Sequence, residues 1–196
     1  LTGAQKNCLL LKCRNAMMKR IISLGVLAVL LTLVANAQIN EKYKFVYKLH
    51  GQTRNYEVCI TEQQDTIRFE WSILRNFKWQ KGCYKMGRQN VENGNSLSWL
   101  QPVDGCEVAL PANETFGFIS RKAWKSLKEN GWFIYNGTTY RKVVEEPTEK
   151  QECNGKKVIH VSADVDLTKM WIVDNEDLPL ICKTSNNPLE IDWTVE

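Results

Sequence analysis

Apolar side chains return at every second position through most of the chain beyond residue 42. Only an extended strand puts alternate residues on one face, so this period commits the chain to β-structure with one buried side. Tyr43, Phe45, Tyr47 and Leu49 alternate with Lys44, Val46 and Lys48; Tyr56, Val58 and Ile60 repeat the pattern. The strongest instance sets Ile67, Phe69, Trp71 and Ile73 against Arg68, Glu70 and Ser72, and the same parity runs on through Arg75 to Phe77 and Trp79. One strand over that whole length would reach ~43 Å at ~3.3 Å per residue, beyond the usual ~17–20 Å. The segment therefore either bends around a core or breaks near Leu74-Arg75-Asn76.

Turn residues punctuate the rest. Asn93-Gly94-Asn95 precedes Leu97 and Trp99, Pro102 and Asp104-Gly105 mark a second turn, and Val108 to Leu110 reads as a short strand. One helix is expected, from Ser120 to Gly131: the serine hydroxyl suits the N-cap, the glycine suits the C-terminal position with φ > 0, and Trp124 and Leu127 form its apolar stripe. Trp132–Tyr135 and Thr138–Val144 flank Asn136-Gly137, the pair that a type I′ hairpin turn favours. A polar loop with Pro147 covers 145–155. Strands then follow at 157–163, 169–174, 180–184 and 190–195. Their short connections require antiparallel neighbours, because a parallel crossover needs about a dozen residues or more. The expected fold is mainly β (α+β), a single antiparallel, curved sheet with one inserted helix.

The N-terminal part reads as a different kind of segment. Met17-Met-Lys-Arg20, the apolar run Ile21–Val34 and Ala35-Asn-Ala37 match the basic, hydrophobic and cleavage regions of a secretory signal peptide at 17–37. The apolar run falls short of the ~20 residues of a spanning helix. Residues 1–16 read as an upstream extension, and 38–196 as a single β-rich domain. Export implies a periplasmic or extracellular location, with no membrane span after cleavage.

Charge narrows the partners. The whole chain has 26 basic and 22 acidic residues, but five of the basic ones lie within 1–37 with no acidic residue beside them. The remainder is close to neutral and lacks the basic patch of a nucleic-acid binder, so no nucleic acid is expected as a partner. Five cysteines follow residue 37: Cys59, Cys83, Cys106, Cys153 and Cys182. An exported chain of this kind is expected to form at least one disulfide. Cys83 and Cys106, each after a glycine and flanking one excursion, are the first candidates for it. No C-x-x-C pair or other metal-ligand spacing occurs, and neither a metal nor a cofactor is expected.

Catalytic signals are scarce. His50 and His160 sit in strand-like segments with no nucleophile motif nearby, and glycine-rich phosphate loops are absent. Asp164, Asp166, Asp174 and Asp177 lie at strand ends, where turn chemistry explains them. No catalytic residue is assigned. Asn113 and Asn136 fall in glycosylation sequons that a bacterial-type signal peptide makes irrelevant.

The aromatic content carries more. All 19 Trp, Tyr and Phe residues follow residue 37. Phe69, Trp71, Phe77 and Trp79 share one strand parity, and an exposed face of that kind would line a groove for acyl chains or stack on sugars. A closed core is the alternative.

The closing segment Met170-Trp-Ile-Val-Asp174, three residues, then Leu178-Pro-Leu180 resembles the LolA-like half-barrel superfamily of exported lipid and lipoprotein carriers, over roughly 157–195. The block from Ala109 to Tyr140 is similar to parts of secreted bacterial proteins of unknown activity. The half-barrel resemblance implies one antiparallel sheet curled around an apolar groove that helices cover. It also makes Arg75 a candidate inward-facing arginine, unless a bulge at Leu74-Arg75 turns it outward. The expected function is a non-enzymatic exported binding protein for lipid or lipoprotein, with Phe69, Trp71, Arg75, Phe77 and Trp79 at the ligand. The alternatives are a hydrolase-like enzyme with a site of scattered Asp, His or Cys, and an envelope interaction module.

Overall fold

The computed structural model describes residues 39–144 and 152–196. The expected upstream extension, the expected signal peptide and the first part of the 145–155 loop lie outside them. Ile39–Glu196 forms one compact unit.

Four long strands open the fold: β1 (Asn40–Leu49), β2 (Gln52–Gln63), β3 (Thr66–Arg75) and β4 (Lys78–Met86). A helix α1 (Arg88–Asn93) and short strands β5 (Ser96–Leu97), β6 (Glu107–Ala109) and β7 (Glu114–Thr115) follow. The second helix α2 (Arg121–Asn130) leads into the hairpin β8 (Trp132–Tyr135) and β9 (Thr138–Lys142). The closing strands are β10 (Glu152–Cys153), β11 (Lys156–Ala163), β12 (Lys169–Val173), β13 (Ile181–Ser185) and β14 (Ile191–Val195). One open sheet runs β6-β4-β3-β2-β1-β14-β13-β12-β11-β9-β8, with β10 beside β11. The mainly β, antiparallel expectation holds, with two exceptions. β4 and β6 are parallel, as the long connection between them allows, and β5 and β7 make a separate parallel pair.

The helix read from sequence is present with its caps. Ser120 Oγ accepts from the Ala123 N–H, and Gly131, at φ 77°, donates its N–H to the Leu127 carbonyl. Asn136-Gly137 makes the expected hairpin turn with both φ values positive. The helix α1 was not expected. It has one apolar residue, Val91, and is held from outside: buried Asn90 donates through Nδ2 to the carbonyl oxygens of Pro111 and Glu114.

The long alternating segment breaks rather than bends. Asn76 and Phe77, at φ 51° and 60°, form a two-residue turn, and the register runs unbroken from Ile67 opposite Met86 to Arg75 opposite Lys78. No bulge occurs at Leu74-Arg75. Opposed residues share a face, so the face of Phe69 and Trp71 continues onto Tyr84 and Gly82, whereas Trp79, opposite Leu74, lies on the other face.

The sheet curls around the segment 116–119. Ile181 of β13 donates its N–H to the Gly117 carbonyl, and a side chain at Gly117 would meet the Phe69 ring of β3 at 2.9 Å. In a flat sheet β3 and β13, four strands apart, would be separated by ~19 Å at ~4.8 Å per strand. One residue touching both requires the strands to wrap round it. Phe116 packs on Phe69 and Tyr84, and Phe118 pairs with Leu180, so both halves of the sheet close on one apolar cluster.

Candidate functional site

Among the side chains facing that cluster, one group does not pack completely. On the β1–β4 side a cavity of about 50 Å³ remains, lined by Tyr47, Tyr56, Trp71, Tyr84, Trp99 and Trp193 together with Phe69 and Arg54. The sheet forms its floor: Tyr47 stands opposite Arg54 on β2 and opposite Trp193 on β14. The segment from Leu97 to Pro102 forms its roof. The rings meet mostly edge to face or tilted, as with Tyr47 on Tyr56 at 5.4 Å and Tyr56 on Trp71 at 5.9 Å, an arrangement their quadrupoles favour.

Few polar groups reach this space. Tyr84 donates its hydroxyl to the Leu100 carbonyl and ties the roof to the floor. Burial raises the pKa values of Tyr47 and Tyr84 well above the ordinary tyrosine range, so both remain neutral hydroxyls. Ser98 is buried, and its Oγ has no hydrogen-bond partner among the described residues. A buried hydroxyl without a partner is costly, and a ligand or water in the cavity would meet its need.

Two of the five expected ligand residues belong here. Phe69 and Trp71 are buried at the cavity, with Trp71 pressed on Gly82, where a Cβ would lie 2.6 Å from its ring. Phe77 and Trp79 do not line it. The turn at Asn76-Phe77 leaves Phe77 at the tip, fully exposed, and carries Trp79 to the opposite face. Arg75 keeps the inward parity but stands at the strand end, exposed beyond the core. Arg54 is the arginine that lines the cavity. No local pattern marks it, because only the β1–β2 register, with Arg54 opposite Tyr47, brings it there. Tyr47 and Tyr56 were visible as alternating aromatics; Trp99 and Trp193 reach the site through tertiary contacts.

The cysteine pairing also differs from expectation. Cys153 of β10 bonds Cys182 of β13, with Cα atoms 6.2 Å apart, and Cys59, Cys83 and Cys106 are free. Cys83 is buried opposite Glu107, and Cys106 lies one residue out of register with an exposed side chain.

The residues considered for catalysis have structural surroundings. His50 is exposed in the β1–β2 turn, its Nδ1 3.5 Å from Glu190. Asp164 pairs with Arg141, Asp174 with Lys128, and Asp166 accepts from the Thr168 N–H within a turn. Among the described residues no cluster of three or more His, Cys, Asp or Glu is placed to hold a metal.

His160 is buried and stacks on Trp171 with ring centres 4.3 Å apart, while the Lys183 ammonium lies 4.4 Å from the centre of the Trp171 ring. Burial, with Lys169 and Lys183 nearby, lowers its pKa to about 4 from the ordinary 6.5. The folded state thus binds this proton more weakly than the unfolded chain. Stability is intact above about pH 6.5 and falls as the pH drops toward 4, by about 3 kcal/mol from this group. Urea unfolding of wild type and His160→Gln between pH 7 and pH 4 checks this: the variant should lose that much of the pH dependence. Equal slopes would refute it.

No protein-family model, curated protein or solved structure matches the chain.

Proposed function

We propose that this chain is an exported, non-enzymatic binding protein that takes an apolar ligand, a lipid or a lipoprotein acyl chain, at the aromatic cavity on the β1–β4 side of its sheet. The observation that carries this reading is the cavity itself, walled by aromatic rings and containing the unpartnered Ser98 hydroxyl. Apolar walls with a few polar groups are the usual composition of a small-molecule site. At about 50 Å³ the cavity is smaller than a ligand. Entry therefore requires the roof from Leu97 to Pro102 to move. Most of that roof, from Ser98 to Pro102, lies outside helix and strand, so its displacement breaks few backbone hydrogen bonds. Export is supported by the signal-peptide pattern at 17–37 and by the Cys153–Cys182 disulfide, a bond that persists in oxidising compartments.

Titration with a fluorescent fatty acid tests the reading. Saturable one-to-one binding, displaced by laurate and weakened about tenfold by Trp71→Phe through the loss of apolar contact, is the expected result. Mass spectrometry of the native protein should find co-purified lipid. A protein that yields no lipid and never saturates with the probe would overturn the proposal.

A further inference from the structure

Outside the cavity, the least explained feature is the tip of the β3–β4 hairpin. Phe77 is completely exposed, with a relative accessibility of 101%, and its backbone has φ 60°. A type I′ turn favours glycine at that second position, and a bulky residue there is an outlier. The chain thus accepts a backbone cost to present a phenyl ring that packs on nothing, a combination associated with function. Two more apolar side chains stand beside it: Leu74 and Trp79, directly opposite each other and more than half exposed.

The charge around the tip has one sign. No acidic residue occurs between Glu70 and Glu92, and the tip itself carries Arg75 opposite Lys78, with Lys81 further along β4. Neither Arg75 nor Lys78 engages a carboxylate among the described residues. The nearest acids are set back from the tip: Glu57 is opposite Ser72 and beside Lys44 in the register, and Asp104 accepts from the Lys81 N–H.

We propose that this hairpin tip docks the protein on an anionic lipid surface, with Phe77 and Trp79 entering the headgroup layer and Arg75 and Lys78 meeting lipid phosphates. Aromatic rings favour that interface, and each basic side chain close to it adds electrostatic attraction. The cationic rim selects a lipid surface over a second copy of the chain, because two such tips repel each other. The proposal is independent of ligand binding in the cavity.

Co-sedimentation with vesicles tests it. The protein should bind phosphatidylglycerol/phosphatidylethanolamine vesicles and not phosphatidylcholine vesicles, and added salt should weaken binding. Phe77→Gly should reduce binding about tenfold by removing one inserted ring. Glycine suits φ 60°, so this variant should melt no lower than wild type. Lys78→Glu should weaken binding about tenfold or more, since it removes one attraction and adds one repulsion. Trp71→Phe, which alters only the cavity, should leave vesicle binding unchanged. Equal binding to neutral vesicles, or Phe77→Gly binding like wild type, would overturn the proposal. So would failure to bind anionic vesicles. If that failure came with self-association that Phe77→Gly abolishes, the tip would be a contact between copies.

Discussion

Trp71→Ala should lower the free energy of unfolding by ~3–5 kcal/mol, the range for truncating a large buried aromatic. Three observations place the expectation there. Trp71 is 5% exposed, its ring meets Tyr56 edge to face, and it fills the space over Gly82 so closely that no Cβ fits. Truncation removes the transfer free energy of the indole and leaves a void. That void joins the existing cavity and cannot collapse readily, because the floor is hydrogen-bonded strand. Had Trp71 lined an open groove, much of its surface would already be wet and the loss would be small. Urea unfolding of Trp71→Ala decides: a loss under about 1 kcal/mol would mean that the indole is largely solvated. Trp71→Phe keeps an aromatic ring in place and should cost less.

The second large effect belongs to the disulfide. Cys153 and Cys182 enclose 29 residues of sequence separation. Cross-linking a loop of that size reduces the entropy of the unfolded chain by an amount worth roughly 3–4 kcal/mol in the chain-entropy account. Both residues are buried in the main apolar cluster, so Cys153→Ala/Cys182→Ala adds little polar disturbance and mostly exposes the cross-link term. Urea midpoints of the double variant and of wild type, with and without reductant, measure it. Reductant should lower the wild-type midpoint and leave that of the variant unchanged. In the chain from Gln38 onward, thiol titration of the denatured, unreduced protein should count three thiols, those of Cys59, Cys83 and Cys106. Five thiols would reject the bond, and a count of one would mean that Cys83 and Cys106, or another pair, had joined as well.

Much of the architecture was legible because its signals are local. Alternation at Tyr43–Leu49 and Ile67–Ile73 is a property of neighbouring residues, and so are the Ser120 and Gly131 caps and the Asn136-Gly137 turn. The helix α1 gave no such signal, since its stability comes from Asn90 reaching carbonyls more than twenty residues away. The candidate site was legible in part. Alternation puts Phe69 and Trp71 on one face, and that face is buried, but the same parity does not carry across Asn76-Phe77. A two-residue turn makes opposed positions sum to an odd number, 71 with 82 and 74 with 79, so same-face residues change parity at the turn. Local signals place the break near Leu74-Arg75-Asn76, close to the turn at Asn76-Phe77, but which face follows depends on the number of residues in that turn.

By itself, the sequence determined the strand alternation, the antiparallel order of the closing strands, the helix with its caps and the need for a disulfide. Each follows from residues within a few positions of one another or from composition. Tertiary structure decided which cysteines meet, which arginine faces the aromatic cavity, and that Trp99 and Trp193 share it with Trp71. These depend on register and on the curvature that lets Gly117 touch both β3 and β13. Register depends on the lengths of turns, and curvature on how whole faces pack. Neither is carried by any short stretch of chain, because each is the outcome of many side chains competing for one interior.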